Sequence, residues 1–467
     1  MKKIARVLTS ILLVATIIAG CGSKASTNDV EMKKISVEEA HGKLGASDWT
    51  FVDTRKASDY EVSHIENAVS LDMDVVVTGN DEETAKANAA ELIPSLNGNN
   101  LIIVCYSGNR YAKAATKALS ENGYDMSKVF TLDGGMKEWN AKTPTKAPTV
   151  AKNRVYVDAR WVKSVIDGNQ PESSNYVIAY VNYGAEPDDA YKKAHIPGTI
   201  VVGDVDVEDA TGSEEGAYNL LKAEEMEKIV LSRGIDKDTT VILYGDDVNG
   251  VARVAYGYLW LGVENVKILN GGFKAWEKES FPVETKENTK AAKSSFGVKT
   301  PAHPEYWVSL DEAVSKVKAD SNFKLVSIRS YDEFLGKTSG YNYMDKAGEP
   351  EGAVWAKSAK TAADVAYICN DDNTVMELSG MKKVWKDAGN DFDVDKNFCA
   401  FYCGTGWRAC PPFLAMYQEG HKNMAVYDGG WYEYLFHDDL PVQVGDPQKG
   451  NAATTTVKEL PTGKAAK

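Results

Sequence analysis

The sequence predicts an α/β protein of three tandem units, each a central, mostly parallel sheet flanked by helices. A short apolar strand, an Asp/Asn-Gly-Gly turn and an aromatic-bearing helix start recur three times: VFTLDGGMKEW (129–139), VKILNGGFKAW (266–276) and MAVYDGGWYEY (424–434). Each copy follows a helix-like stretch and, before it, an apolar strand: LIIVC (101–105), VILYG (241–245) and FCAFYC (398–403). Further upstream another strand runs into a polar turn: FVDTR (51–55), YVIAYVN (176–182) and FKLVSIR (323–329). Strands alternating with helices indicate parallel α/β units. Gly134, Gly271 and Gly429 open the three glycine pairs, 137 and 158 residues apart, so whole domains repeat and not solenoid turns.

A chain of 467 residues, 43% hydrophobic and 26% charged, has the mass for two to four ordinary domains. Its net charge of −14 argues against a nucleic-acid partner, which would need clustered Lys and Arg. In chain order, Lys2, Lys3 and Arg6 form a basic start, and Val7 to Ile18 is an apolar run too short to span a bilayer as a mature helix. Ile18-Ala19-Gly20-Cys21 then resembles a bacterial lipobox, so residues 1–21 read as a lipoprotein signal ending in a lipidated Cys21. Export to the extracytoplasmic face follows, with the membrane met only through that lipid. Residues 22–33 would be a tether. The units span 34–142, 153–285 and 304–446, joined by Lys/Thr/Ala/Pro-rich linkers at 141–153 and 284–304. The tail at 447–467 has the same composition and is expected to be disordered.

With Cys21 committed to lipid, an odd set of five cysteines remains, which implies at least one free thiol. Two of them open matching loops at the C-terminal end of a central strand, where open α/β sheets bind ligands. Unit one has Cys105-Tyr106-Ser107-Gly108-Asn109-Arg110, and unit three has Cys403-Gly404-Thr405-Gly406-Trp407-Arg408. A cysteine between a strand end and a helix N-terminus lies among amides that favour an anion, and a nearby arginine favours the thiolate. The glycine lets the loop curl inward, while Arg110 and Arg408 could hold the loop or an anionic substrate. Such a site suits attack on thiosulfate or a related sulfur donor. Unit two offers the acidic, cysteine-free Gly245-Asp246-Asp247-Val248-Asn249-Gly250-Val251-Ala252-Arg253, and is expected to be inert.

Other chemistries fit less well. A metal site needs paired ligands, and Cys399 and Cys403 have neither a second pair nor a histidine nearby. A disulfide from Cys403 to Cys399 or Cys410 would suit an exported chain and switch the site off reversibly. Tyrosine-phosphatase loops place five residues between Cys and Arg. Both loops here place four, a smaller ring that suits sulfur better than phosphate. Trp139, Trp276 and Trp431 read as packing residues.

The chain resembles the rhodanese (sulfurtransferase) family between residues 35 and 445. The family's Asp-x-Arg appears as Asp53-Thr54-Arg55, and its His-Ile-Pro-Gly-Ala turn as HIENA (64–68) and His195-Ile196-Pro197-Gly198-Thr199, while unit three keeps only PEGAV (350–354). Unit three is similar to the last domain of the periplasmic three-domain sulfurtransferases of enteric bacteria. The resemblance implies that Cys403 carries sulfane sulfur as a persulfide from a small sulfur donor to a thiol, cyanide or protein acceptor, without cofactor or metal. Cys105 would be a second nucleophile. The resemblance implies a sulfurtransferase of the thiosulfate or 3-mercaptopyruvate type, although Arg329 matches a family arginine followed four residues later by a substrate arginine and here that position is Glu333, which bears against either as the physiological donor. The alternative to an enzyme is a sulfur-carrying or binding scaffold.

Overall fold

Runs such as Leu101–Val104, Val241–Tyr244 and Cys399–Tyr402 are apolar on both faces, which suits strands buried in a parallel sheet with helices on either side. The structure, a computed structural model, describes residues 32–142, 152–209 and 216–466, apart from Ser63, Glu66 and Ala185. The leader with Cys21 and nearly all of the expected tether fall outside these residues.

The first domain contains β1 (Lys33–Ile35), β2 (Trp49–Asp53), β3 (Val69–Ser70), β4 (Asn100–Val104) and β5 (Val129–Leu132). They pair in the order β1-β5-β4-β2-β3, all parallel. The second domain repeats this with β6 (Tyr156–Val157), β7 (Tyr176–Asn182), β8 (Ile200–Gly203), β9 (Thr240–Tyr244) and β10 (Asn265–Leu269), in the order β6-β10-β9-β7-β8. The third uses β11 (Trp307–Val308), β12 (Phe323–Ser327), β14 (Val354–Trp355), β15 (Phe398–Tyr402) and β16 (Met424–Tyr427), in the order β11-β16-β15-β12-β14. In every copy the middle strand, β4, β9 or β15, delivers the loop compared above. The histidine turns share a role too. Tyr60 stacks on His64 at 4.0 Å and Tyr191 on His195 at 3.8 Å, each His Nδ1 lying 2.8 Å from the tyrosine carbonyl oxygen.

The tail departs from expectation. Residues Ala453–Thr456 form β18, which pairs antiparallel with β17 (Pro441–Val444), and β17 pairs with β13 (Glu349–Pro350). Consecutive threonines favour a pleated strand, and Val457 and Leu460 then bury themselves beside Trp431, Tyr434 and Val442. The tail is therefore part of the third domain's core. The stretch at 284–304 is likewise docked along its path: Lys237 N–H bonds Phe296 O, Lys293 N–H bonds Leu231 O, and Phe296 is buried.

The second and third domains share one apolar core, whereas the first keeps cores of its own. The seam is formed by the helices that follow the two loops, Val248–Leu261 and Cys410–Gln418. Tyr256 meets Phe413 edge to face at 5.1 Å, Tyr306 meets the same ring at 5.2 Å, and Tyr256 Oη donates to Tyr306 O. Phe413→Ala should cost about 3–5 kcal/mol through the cavity it leaves. Scanning calorimetry should show the transition of domains two and three moving down together while that of domain one stays in place.

Candidate active site

The Gly-Gly turn explains itself against the loop. An added Cβ at Gly135 would lie 2.2 Å from Cys105 O, at Gly430 2.5 Å from Cys403 O, and at Gly272 2.7 Å from Gly245 O. The second glycine of each pair, at positive φ, thus lets the next helix start press against the loop's first carbonyl. Met136 N–H donates to Cys105 O at 2.7 Å and Lys137 N–H to Tyr106 O at 3.1 Å. Likewise Trp431 N–H donates to Cys403 O and Tyr432 N–H to Gly404 O, both at 2.9 Å. A trans peptide sends its C=O and the following N–H opposite ways, so tying these carbonyls back turns the next amides toward the inside of the loop. In domain one that inward set reaches sulfur directly: Asn109 N–H lies 3.3 Å from Cys105 Sγ.

Around that shared frame the two cysteine loops differ. In domain one, Ser107, Asn109 and Arg110 are exposed, Gly108 is buried, and Tyr106 Oη bonds Asp59. Among the described residues Arg110 donates to Val77 O, at 3.3 Å. In domain three, Arg408 is buried behind the loop. Its two terminal nitrogens donate to Glu333 at 2.8 and 3.0 Å, to Thr361 O and to Tyr341 Oη. Arg329 is fully buried and donates to Glu333, Glu349, Gly348 O and Ser339 O. Of the two roles expected for Arg408, holding the loop or holding an anionic substrate, these contacts leave it the first, and Arg329 is occupied within the same buried network. Burial alone would raise the Glu333 carboxyl, but Arg408 and Arg329 overcome that and hold it down to about 2.

Two residues without a sequence motif complete the site. Tyr341 lies over the loop, its ring 2.4 Å from where a Gly404 Cβ would stand. Glu208, from domain two, accepts the Trp407 indole N–H at 2.8 and 2.9 Å and Arg253 Nε–H at 2.8 Å. Arg253 closes the acidic loop of unit two, yet its guanidinium crosses to domain three, pairing with Asp428 of the Asp-Gly-Gly turn. A Cβ on Gly406 would lie 2.9 Å from Arg253 Nη1, so this glycine, at φ +83°, makes room for a neighbouring domain's cation. Burial raises the Glu208 carboxyl to about 7, with Arg253 and the Trp407 N–H acting against it. The domain expected to be inert is a wall of the Cys403 loop.

All five described cysteines are free thiols. Burial pushes Cys369 up to about 11, Cys399 up to about 12 and Cys410 higher still. Cys410 Sγ donates to Gly406 O at 3.3 Å, a packing contact inside the helix start. Trp139, Trp276 and Trp431 are buried, and the Arg329 guanidinium lies 5.3 Å from the Trp431 ring centre.

Three stretches, 36–142, 182–279 and 309–437, match the model of the Rhodanese-like domain. The chain is 38% identical over 348 residues to thiosulfate sulfurtransferase YnjE of Escherichia coli K12, covering 74% of this chain and 76% of that one. It is 29% identical over 298 residues to a putative thiosulfate sulfurtransferase of Haloferax volcanii, covering 62% and 97%. Among solved structures it is similar to wild-type EanB, with 28% identity, a TM-score of 0.60 and coverage of 91% and 100%. The anaerobic ergothioneine biosynthesis enzyme of Chlorobium limicola, solved with trimethyl histidine, matches with 27% identity, a TM-score of 0.62 and coverage of 89% and 100%.

Glu333→Gln should cost about 3–5 kcal/mol near neutrality, because it leaves a buried guanidinium without its counter-charge. The folded pKa lies below the ordinary 4.5, so the carboxylate's contribution is complete above that value and is lost as pH falls toward about 2. Urea midpoints of wild type and variant should differ most near neutrality, draw together below about pH 4.5 and converge only at about pH 2.

Proposed function

Since the chain belongs to the rhodanese-like family through three such domains, we propose that it is an exported sulfurtransferase that carries sulfane sulfur as a persulfide on Cys403. The observation that carries this reading is the loop itself: its first two carbonyls are tied to the Gly430 helix start, which leaves the following amides to stabilise a thiolate or persulfide. Relatives named thiosulfate sulfurtransferases support the same chemistry. With thiosulfate as donor, the Cys403 thiolate attacks the outer sulfur. The S–S bond breaks, sulfite leaves with the bonding pair, and the outer sulfur stays on Cys403. An acceptor nucleophile then attacks that sulfur and returns the pair to Cys403 Sγ, so no external oxidant or reductant is needed.

Cys105 is the second candidate, with an amide already on its sulfur and an exposed arginine at the end of its loop. Lipid attachment at Cys21 and an extracytoplasmic location belong to the same proposal and rest on the leader's sequence. The full chain should convert thiosulfate and cyanide to thiocyanate. Cys403→Ala should lower that rate by at least about 100-fold, Cys105→Ala by less, and Cys410→Ser by less than about threefold. Intact mass after thiosulfate should show one added sulfur on Cys403. A wild type that gains no sulfur and makes no thiocyanate would sink the proposal, while sulfur gained without turnover would make the chain a carrier.

A further inference from the structure

The loop that begins at Cys403 opens on a cleft of about 630 Å³ between the second and third domains. Its walls are aromatic. Trp407 and Tyr183 stack with centroids 5.6 Å apart and planes within 10°, while Tyr341 and Tyr343 lie 5.4 Å apart, with Tyr218 against Tyr343 at 5.6 Å. Tyr183 is 63% exposed and Tyr343 47%, so the cleft presents open ring faces.

The charge facing the cleft is negative. Asp204 and Asp247 line it, both from domain two, beside a Glu208 already paired with Arg253. Among the described residues no Lys, Arg or His lies within ion-pair distance of Asp204 or Asp247. Asp247 caps the helix Val248–Leu261, accepting from Asn249 N–H and Gly250 N–H, and also accepts from Tyr183 Oη. Arg408 is in the lining, but its charge is taken by Glu333. Around the loop, the guanidinium groups of Arg253, Arg329 and Arg408 face the carboxyls of Glu208, Asp428, Glu333 and Glu349, so none is left for an anion. Asn249, 5% exposed, also lines the cleft, and its Oδ1 has no hydrogen-bond partner among the described residues, an acceptor left over for a ligand hydroxyl or other donor.

We propose that this cleft is the acceptor site of the transfer and that it takes a small organic cation of the alkylated-ammonium class. Ring faces attract such a cation through their quadrupoles, and Asp204 and Asp247 supply the counter-charge without the strong hydration that a compact ammonium would demand. The inference rests on Cys403 as the persulfide carrier. A thiolate on the bound cation attacks the outer sulfur of the Cys403 persulfide, the S–S bond to Cys403 breaks, and the pair returns to Cys403 Sγ as thiolate while the acceptor leaves as its own persulfide. Thr405, Trp407 and Arg408, which floor the cleft, lie two, four and five residues beyond the nucleophile.

Two measurements on the full chain test it. In the first, choline and its neutral isostere 3,3-dimethylbutan-1-ol are titrated calorimetrically. Choline should bind at least about tenfold more tightly, and Tyr183→Ala and Asp247→Asn should each erode that ratio. Both changes lie at the cleft's rim, and unchanged melting temperatures would show that the fold is kept. Equal binding of the two probes, or a ratio that neither variant moves, overturns the proposal. In the second, the persulfidated protein is discharged with thiocholine or with 2-mercaptoethanesulfonate, thiols of similar size and opposite charge. After correction for thiolate fraction, thiocholine should be at least about tenfold faster, and a faster sulfonate overturns the cation reading. If the wild type takes up no sulfur, the sulfurtransferase reading fails instead, and the choline titration still decides what the cleft binds.

Discussion

A single carboxylate, Glu333, sits beneath the Cys403 loop of the third domain and joins two buried guanidiniums. Arg408 meets it through both terminal nitrogens and Arg329 through Nε. Burying any of these charges alone would be prohibitive, and together they leave the cost of desolvation matched by close pairing. The rest of the site hangs from this arrangement. Arg408, held by Glu333, donates to Tyr341 Oη, and the Tyr341 ring in turn covers Gly404 beside Cys403. The arginine that ends the Cys-x-x-Gly-x-Arg loop is thus a post behind it. Its charge is already spent on Glu333.

The second domain shows how a loop without a nucleophile still shapes the chemistry of its neighbour. Arg253 ends that loop as Arg408 ends the third, yet it turns across the seam to Asp428 and Glu208. Trp407 from the reactive loop answers by donating to Glu208. The packed helices Val248–Leu261 and Cys410–Gln418 bring the two loop ends together, and the shared apolar core keeps them there. The Cys403 loop is therefore braced by a domain that carries no cysteine in the corresponding place.

The strands, the parallel sheets and the threefold Gly-Gly turn could be read from the sequence because each rests on local pattern. Apolar runs of strand length and a turn that admits only glycine leave a direct trace in residue order. The loops were visible for the same reason. The partners of buried charges were not, since Arg329, Arg408 and Arg253 look alike as letters and differ only in which carboxylate the fold brings near. Tyr341 and Glu208 come from stretches with no motif. The tail misled through composition: its Thr-, Lys- and Ala-rich residues suggest disorder, but Val457 and Leu460 find an apolar surface that no local window contains.

The two cysteine loops are built on the same frame and end in opposite electrostatic settings. Around Cys105 the arginine of the motif faces water, and the loop's polar side chains are exposed. Around Cys403 the arginine is neutralised, the loop is roofed by Tyr341, and the approach is lined by carboxylates from the neighbouring domain. Partly buried charges are screened far less than exposed ones, so these carboxylates weigh on the choice of acceptor that reaches the Cys403 loop. The same motif therefore does not imply the same substrate. The acidic loop of domain two, read alone, is a site that has lost its nucleophile. Read with its neighbour, its Asp247 is a helix cap that lines the cleft shared with the third domain.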